Sequence, residues 1–326
     1  MDEYILPFDI DTNIRTYPYL AFYLGILEGN KINTEYILIN EFITTFYFRK
    51  KLDFAASGFF QNKYFNNMKI DKKLLTVDNL KMFLKQNKYV VLILNERFIS
   101  NKGINKKNDY YHDWLIIGYS DVTSCFICAG YSGEVSKFKK YKIEYISYND
   151  IAQSIKNSKK NRFTGTINDS HTIEIKNNIE REKIRETTIK RKLFQYSYFN
   201  KFGFYFRPII NLGYLGNMKM LNDLKRFYAN YSTEYQIFMK GFRIFYENKI
   251  AINIAINKMN VKEELKTRYK NNVLDKSYLL FLKSVKYNVS PNQTALHNII
   301  SDLDYIIREE KFIIRNILFG GNYETY

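Results

Sequence analysis

A chain of 326 residues, 46% hydrophobic and 17% aromatic, can bury a sizeable core, which excludes disorder along its whole length. Fifty Lys and Arg against 33 Asp and Glu leave a net charge of +17, and the length favours two domains over one. The two cysteines, Cys125 and Cys128, rule out a disulfide-stapled scaffold and a four-thiolate zinc site and suit a reducing, cytoplasmic setting.

The opening MDEYILPFDIDTN is acidic and lacks the basic-then-apolar order of a secretory signal. No stretch reaches the roughly 18 to 20 apolar residues that span a bilayer. A soluble protein without a membrane partner is expected. The charge is uneven: residues 1–150 carry +3 and the remainder +14. Such a basic half suits polyanions or acidic proteins, although the Lys-, Asn- and Ile-rich composition would also follow from A/T-rich coding with no selected surface.

In chain order, Tyr17 to Leu27 (YPYLAFYLGIL) predicts a buried helix, with Pro18 where a first turn tolerates it. Residues 34–50 fit helix or strand equally, being rich in β-branched and aromatic side chains. Asp78 to Asn87 predicts a short amphipathic helix, and the apolar run Tyr89 to Asn95 (YVVLILN) a buried strand. After the polar SNKGINKKNDYY come three expected strands: His112–Tyr119, Cys125–Gly130 and Lys139–Ile146, the first two joined by a turn over Ser120–Ser124. This order predicts an α+β domain over 1–155 with a largely antiparallel sheet.

A polar stretch, KNSKKNRFTG, marks the expected boundary, and 156–326 is expected to form a mostly helical domain. A short alternating piece, HTIEIK, precedes a charged helix over Asn178–Lys192. Asp223–Ala229, Tyr235–Asn260, Ser277–Tyr287 and Thr294–Leu318 then show apolar residues at three and four spacing, and the last puts Leu296, Ile299, Ile300, Leu303, Ile306 and Ile307 on one stripe. These aromatic and aliphatic stripes read as core, not as a platform for stacking bases.

The Walker A loop, GxGxxG, HExxH and GxSxG are all missing, so the usual phosphate-binding, zinc-protease and serine-hydrolase signatures do not apply. Of three histidines, His297 is explained by packing on its helix and His112 opens an apolar strand running into Gly118-Tyr119-Ser120-Asp121. This pattern resembles the C39-like branch of the papain-type cysteine peptidase fold. More closely, HDWLIIGYSD, the later FICAGY, and FMKGFRIFYENK in the helical half look like the butirosin biosynthesis protein H family, over residues 1–155 and less specifically beyond. The resemblance implies a papain/C39-like amino-terminal domain and transfer of an acyl or aminoacyl group from a carrier-protein thioester onto an amine. It implies no bound cofactor, the substrate riding on the phosphopantetheine of an acidic acyl or peptidyl carrier protein.

The chain departs from that pattern at two positions. The thiol should stand near Tyr19 or Leu20, at the start of the first long helix, and no cysteine is there. The acid expected at the end of the second strand is replaced by Cys128-Ala129-Gly130. Three readings stay open. His112 acts as general base on an amine attacking an already activated thioester, with Cys128 as an unusual nucleophile beside the vacant third position. Alternatively the protein is a non-catalytic relative that holds a carrier protein or an intermediate. Nucleic-acid binding has only the basic pI of about 9.4 in its favour. Each residue also has a plain role: a strand-edge histidine satisfied by backbone, Cys128 as a small core residue, and Asp113 and Asp121 as turn or edge charges. Cys125 and Cys128 differ in parity and should face opposite sides of their strand. The first reading expects His112 at the mouth of a cleft between the leading helix and the central sheet.

Overall fold

The structure is a computed structural model and describes residues 2–48, 50–55, 59–100, 109–132, 140–158, 169–177, 184–198, 211–231, 237 and 239–320. It is mixed α+β, with antiparallel strands in the first part of the chain and mostly helices in the second. The chain begins with β1 (Glu3–Ile5), α1 (Pro18–Gly29), α2 (Glu35–Glu41), β2 (Thr45–Phe48), β3 (Lys51–Phe54), α3 (Phe59–Tyr64) and β4 (Phe65–Lys69). It continues with α4 (Val77–Lys85), β5 (Tyr89–Asn95), β6 (Tyr111–Ser120), β7 (Cys125–Ser132), β8 (Lys140–Ser147), α5 (Tyr148–Lys156) and β9 (His171–Ile175). The rest comprises α6 (Glu186–Tyr198), β10 (Asn211–Leu212), α7 (Gly213–Ala229), α8 (Met239–Asn257), α9 (Glu263–Tyr269), α10 (Asp275–Val289) and α11 (Gln293–Phe319).

These elements form two compact units, one of residues 1–34 and 59–180, the other of 35–58 and 181–326. The division differs from a break at 155/156 in two ways. The ambiguous segment 34–50 resolves into α2 followed by β2, and with β3 it belongs to the second unit. HTIEIK forms β9, which pairs into the sheet of the first unit between β4 and β5. Local periodicity cannot reveal either event, because both depend on pairing between segments far apart in the chain. The start of the charged helix expected over Asn178–Lys192 and most of SNKGINKKNDYY lie outside the described residues, and α6 runs from Glu186 to Tyr198.

In the first unit the strand order is β4-β9-β5-β6-β7-β8, with β1 also on β6, and every pairing is antiparallel. All seven residues of β5 are buried, which is why its sequence is a continuous apolar run and not an alternating one. Leu20 to Leu27 of α1 are all buried as well, so that helix has no polar face. Thr76 caps α4 by accepting from the Asn79 backbone N–H, and Ser147 caps α5 in the same way from Asp150. Gly118 lies where β1 crosses β6, and an added Cβ would fall 2.4 Å from the Tyr4 carbonyl oxygen. Only glycine permits that approach.

The second unit is built on α11, whose buried stripe includes Leu296, Ile299, Ile300, Leu303, Ile306, Ile307, Ile313, Ile314 and Ile317. Asn292 caps its start, and Gly320 ends it in the left-handed conformation at φ 62°. β2 pairs with β3 and β10 to complete a small antiparallel sheet in the same unit. A charged network lies inside this apolar setting. Lys249 Nζ is 2.8 Å from Glu310 Oε2, and neither side chain is exposed at all. Glu310 also accepts from Tyr196 Oη at 2.7 Å and Tyr269 Oη at 2.8 Å. Burial pushes the Lys249 ammonium below its ordinary range, and the Glu310 charge opposes that fall.

Removing one partner of such a pair strands the other charge in a dry core. Glu310→Gln is therefore expected to destabilise the protein by about 3–5 kcal/mol in denaturant unfolding. Lys249→Met together with Glu310→Leu is expected to recover a large part of that loss, and an unchanged midpoint for Glu310→Gln would contradict the arrangement.

Candidate functional site

The end of β5 and the start of β6 are knotted together by polar contacts. Asn95 is the hub: its backbone N–H donates to Ser154 Oγ of α5 at 2.7 Å, and its side chain donates to Asp109 at 2.9 Å. The Tyr110 N–H donates to Asn95 Oδ1 at 3.1 Å, and the Glu96 N–H donates to the Tyr110 carbonyl at 2.7 Å. Asp150, beside the α5 cap, accepts from both the N–H and the hydroxyl of Ser100. These bonds fix the turn that carries Glu96.

Within this frame the His112 Nδ1 stands 2.9 Å from Glu96 Oε1. The approach is an ion-pair contact and not a fully aligned hydrogen bond. Glu96 is 2% exposed and the His112 side chain 21%, so the acid is enclosed while the imidazole retains an open edge. A carboxylate accepts, so this contact favours the tautomer with the hydrogen on Nδ1 and Nε2 unprotonated. Tyr110 stands edge-on to the imidazole, 4.4 Å between ring centres. Its hydroxyl is pushed above the usual phenol range, first by burial and then by the Glu96 charge.

The acid partner therefore comes from the residue after β5, and not from the end of the second strand. Asn95-Glu96 directly after a buried apolar run was the only trace of it in the sequence, since one acid after a strand is common and its pairing with His112 depends on register. Leu94 stands opposite His112 in that register, two residues from Glu96.

The pleat also corrects the expected setting of His112. Residues paired across antiparallel strands share a face, and Ile93 pairs with Asp113 while Val91 pairs with both Leu115 and His171. Ile93, Asp113, Val91 and His171 line a cavity of about 240 Å³ together with Tyr19, Phe22 and Tyr23 of α1. The cleft beside the leading helix thus receives Asp113, and His112 points to the opposite face. Tyr19, where a thiol was sought, lines this cleft.

Cys128 is fully buried and pairs with Ile116 on one side and Glu144 on the other. Ile116 lies four residues along β6 from His112, roughly 13 Å at strand rise, so the structure does not bring Cys128 and His112 together. Cys125 and Cys128 fall at opposite parity in the β7–β8 register and form no disulfide. Asp121 sits in the turn after β6, held by Lys81 and the Tyr148 hydroxyl, and both contacts draw its carboxyl below the usual range. It behaves as the turn charge foreseen. Asp113 does not: its enclosure raises its carboxyl above the usual range, with His112 and His171 countering part of the rise. Among the described residues no group of three potential ligands is placed to hold a metal ion. Among the described residues no helix is long and apolar enough to cross a membrane.

No family model matches the chain, and no curated protein matches it.

A carboxyl whose folded pKa is raised contributes stability that is complete below its unfolded value near 3.9 and is lost as pH rises through the folded value. Asp113→Asn removes the charge with little change of shape. Its melting temperature is expected above wild type at pH 7, with the gain disappearing toward pH 3; an equal gain at both pH values would contradict the enclosed carboxylate.

Proposed function

We propose that the protein transfers an acyl or aminoacyl group from a carrier-protein thioester to an amine, with His112 as general base and Glu96 as the group that orients it. The supporting observation is the His112–Glu96 contact, an enclosed acid behind a partly open imidazole. The carrier-bound donor and the papain/C39-like assignment rest on the resemblance of HDWLIIGYSD, FICAGY and FMKGFRIFYENK to the butirosin biosynthesis protein H family.

A thioester is already activated, so the reaction needs no acyl-enzyme intermediate. The amine nitrogen attacks the thioester carbonyl, the C–N bond forms, and the nitrogen loses a proton to His112 Nε2. The tetrahedral intermediate then collapses with cleavage of the C–S bond, and the imidazolium returns the proton to the departing phosphopantetheine thiolate. Atoms and charge balance with no redox partner. Glu96 stabilises the transient imidazolium and holds the tautomer in which Nε2 is basic. Cys128, sealed in the sheet, takes no part. Enclosing Glu96 has a cost, since a buried charge is tolerated only against a partner, and the Nδ1 contact offsets it.

An acidic carrier would be drawn to the basic 151–326 portion, which carries the +14. The second reading, a non-catalytic holder of a carrier protein or intermediate, is favoured by the missing thiol near Tyr19.

The test supplies a loaded aminoacyl carrier protein and an amine and follows amide by mass. His112→Ala is expected to lower turnover by about 10²- to 10⁴-fold, the usual span for a general base. Glu96→Gln should also lower kcat while carrier binding stays intact, and Cys128→Ala should change little. Full turnover in His112→Ala would overturn the base assignment. Carrier binding by the wild type without any amide would establish the holder reading in its place.

A further inference from the structure

The cleft beside α1 lies on the face of the sheet opposite His112 and is not used by the reaction proposed above. Its volume of about 240 Å³ is below the range of drug-sized sites, so it suits a small molecule. The chemistry of its lining is one-sided. Asp113 offers a carboxylate that no hydrogen bond or ion pair reaches from any described residue. Asp169 lies at the rim. His171 Nδ1 is 3.0 Å from the Asp169 carbonyl, and because a carbonyl only accepts, that nitrogen carries a hydrogen. Among the described residues no lysine or arginine lines the cavity.

The remaining described wall is aromatic and aliphatic apart from Gln61, whose side-chain amide both donates and accepts. Tyr19 and Tyr23 supply ring faces, and Phe22, Val91 and Ile93 supply apolar surface. Phe22 and Tyr23 are almost completely buried, at 1% and 5% exposure, so this wall is rigid. Among the described residues, two carboxylates beside aromatic rings, with no lysine or arginine, suit a ligand rich in N–H and positively charged. An anion would meet the Asp113 charge with no compensation. A metal ion lacks its three ligands among the described residues.

We propose that this cleft binds a small organic cation, a primary ammonium on a short alkyl chain, with Asp113 accepting from the ammonium and the α1 aromatics covering the chain. The ligand supplies a counter-charge to an enclosed carboxylate that no hydrogen bond or ion pair from the described residues reaches. The proposal is independent of amide formation at His112.

Butylammonium is the probe, titrated into the full chain at pH 7 and followed by chemical-shift changes, with butan-1-ol and butyrate as the neutral and anionic counterparts. Saturable binding of butylammonium in the millimolar range is expected for a ligand of this size, with both counterparts at least tenfold weaker. Asp113→Asn should weaken butylammonium at least tenfold while its melting curve shows a folded protein. Tyr19→Ala serves as a second variant at a partly exposed position and should weaken it less. Equal affinity for butan-1-ol, unchanged affinity in folded Asp113→Asn, or no saturable binding of butylammonium in the wild type would each overturn the proposal.

Discussion

The two-residue period of one central strand governs everything of chemical interest in the first unit. β6 is paired along both edges, so its register cannot slip without turning an entire set of apolar side chains toward the wrong layer. Consecutive residues His112 and Asp113 are therefore delivered to opposite faces. His112 meets Glu96 at the end of β5, while Asp113 meets the aromatic wall of α1. Two adjacent polar residues thus build two separate environments, and neither could be moved by rotation of a side chain alone.

The contrast between the two acids illustrates how environment sets the role of a carboxylate. Glu96 is the more deeply enclosed, yet it has an imidazole at 2.9 Å to offset the loss of water. Among the described residues no hydrogen bond or ion pair reaches Asp113, and burial dominates its behaviour, with His112 and His171 countering part of it. Neither environment contains the thiol that the papain-type pattern places at the start of its first long helix, where this chain has Tyr19 and Leu20.

Burial of charge serves another purpose in the second unit. Lys249, Glu310, Tyr196 and Tyr269 satisfy one another inside the helices, and Asn217 and Asn248 extend the network by donating to the Tyr196 hydroxyl and accepting from Lys249. A lysine and a glutamate in an otherwise apolar core restrict which helix faces can pack together, because any other pairing would leave a charge unpaired. Asn248 also donates to the Phe42 and Ile43 carbonyls at 2.8 and 2.7 Å. Those contacts tie the inserted segment 35–58 to the helices it joins.

Periodicity and composition alone determined the α+β character, the buried strand YVVLILN, the largely apolar α1, the antiparallel run β6–β7–β8 and the long α11, because each is encoded in neighbouring residues. His112 stood out for the same reason: a histidine that opens an apolar strand is a local feature. Its acid was not, since Glu96 and His112 meet through the pairing of two strands. The misplacement of the α1 cleft had the same origin. Parity separates His112 from Asp113, but which parity faces α1 is decided only when helix and sheet pack. The assignment of 35–58 to the second unit and of β9 to the first likewise required contacts between segments 80 or more residues apart, whose closure no short window of sequence records.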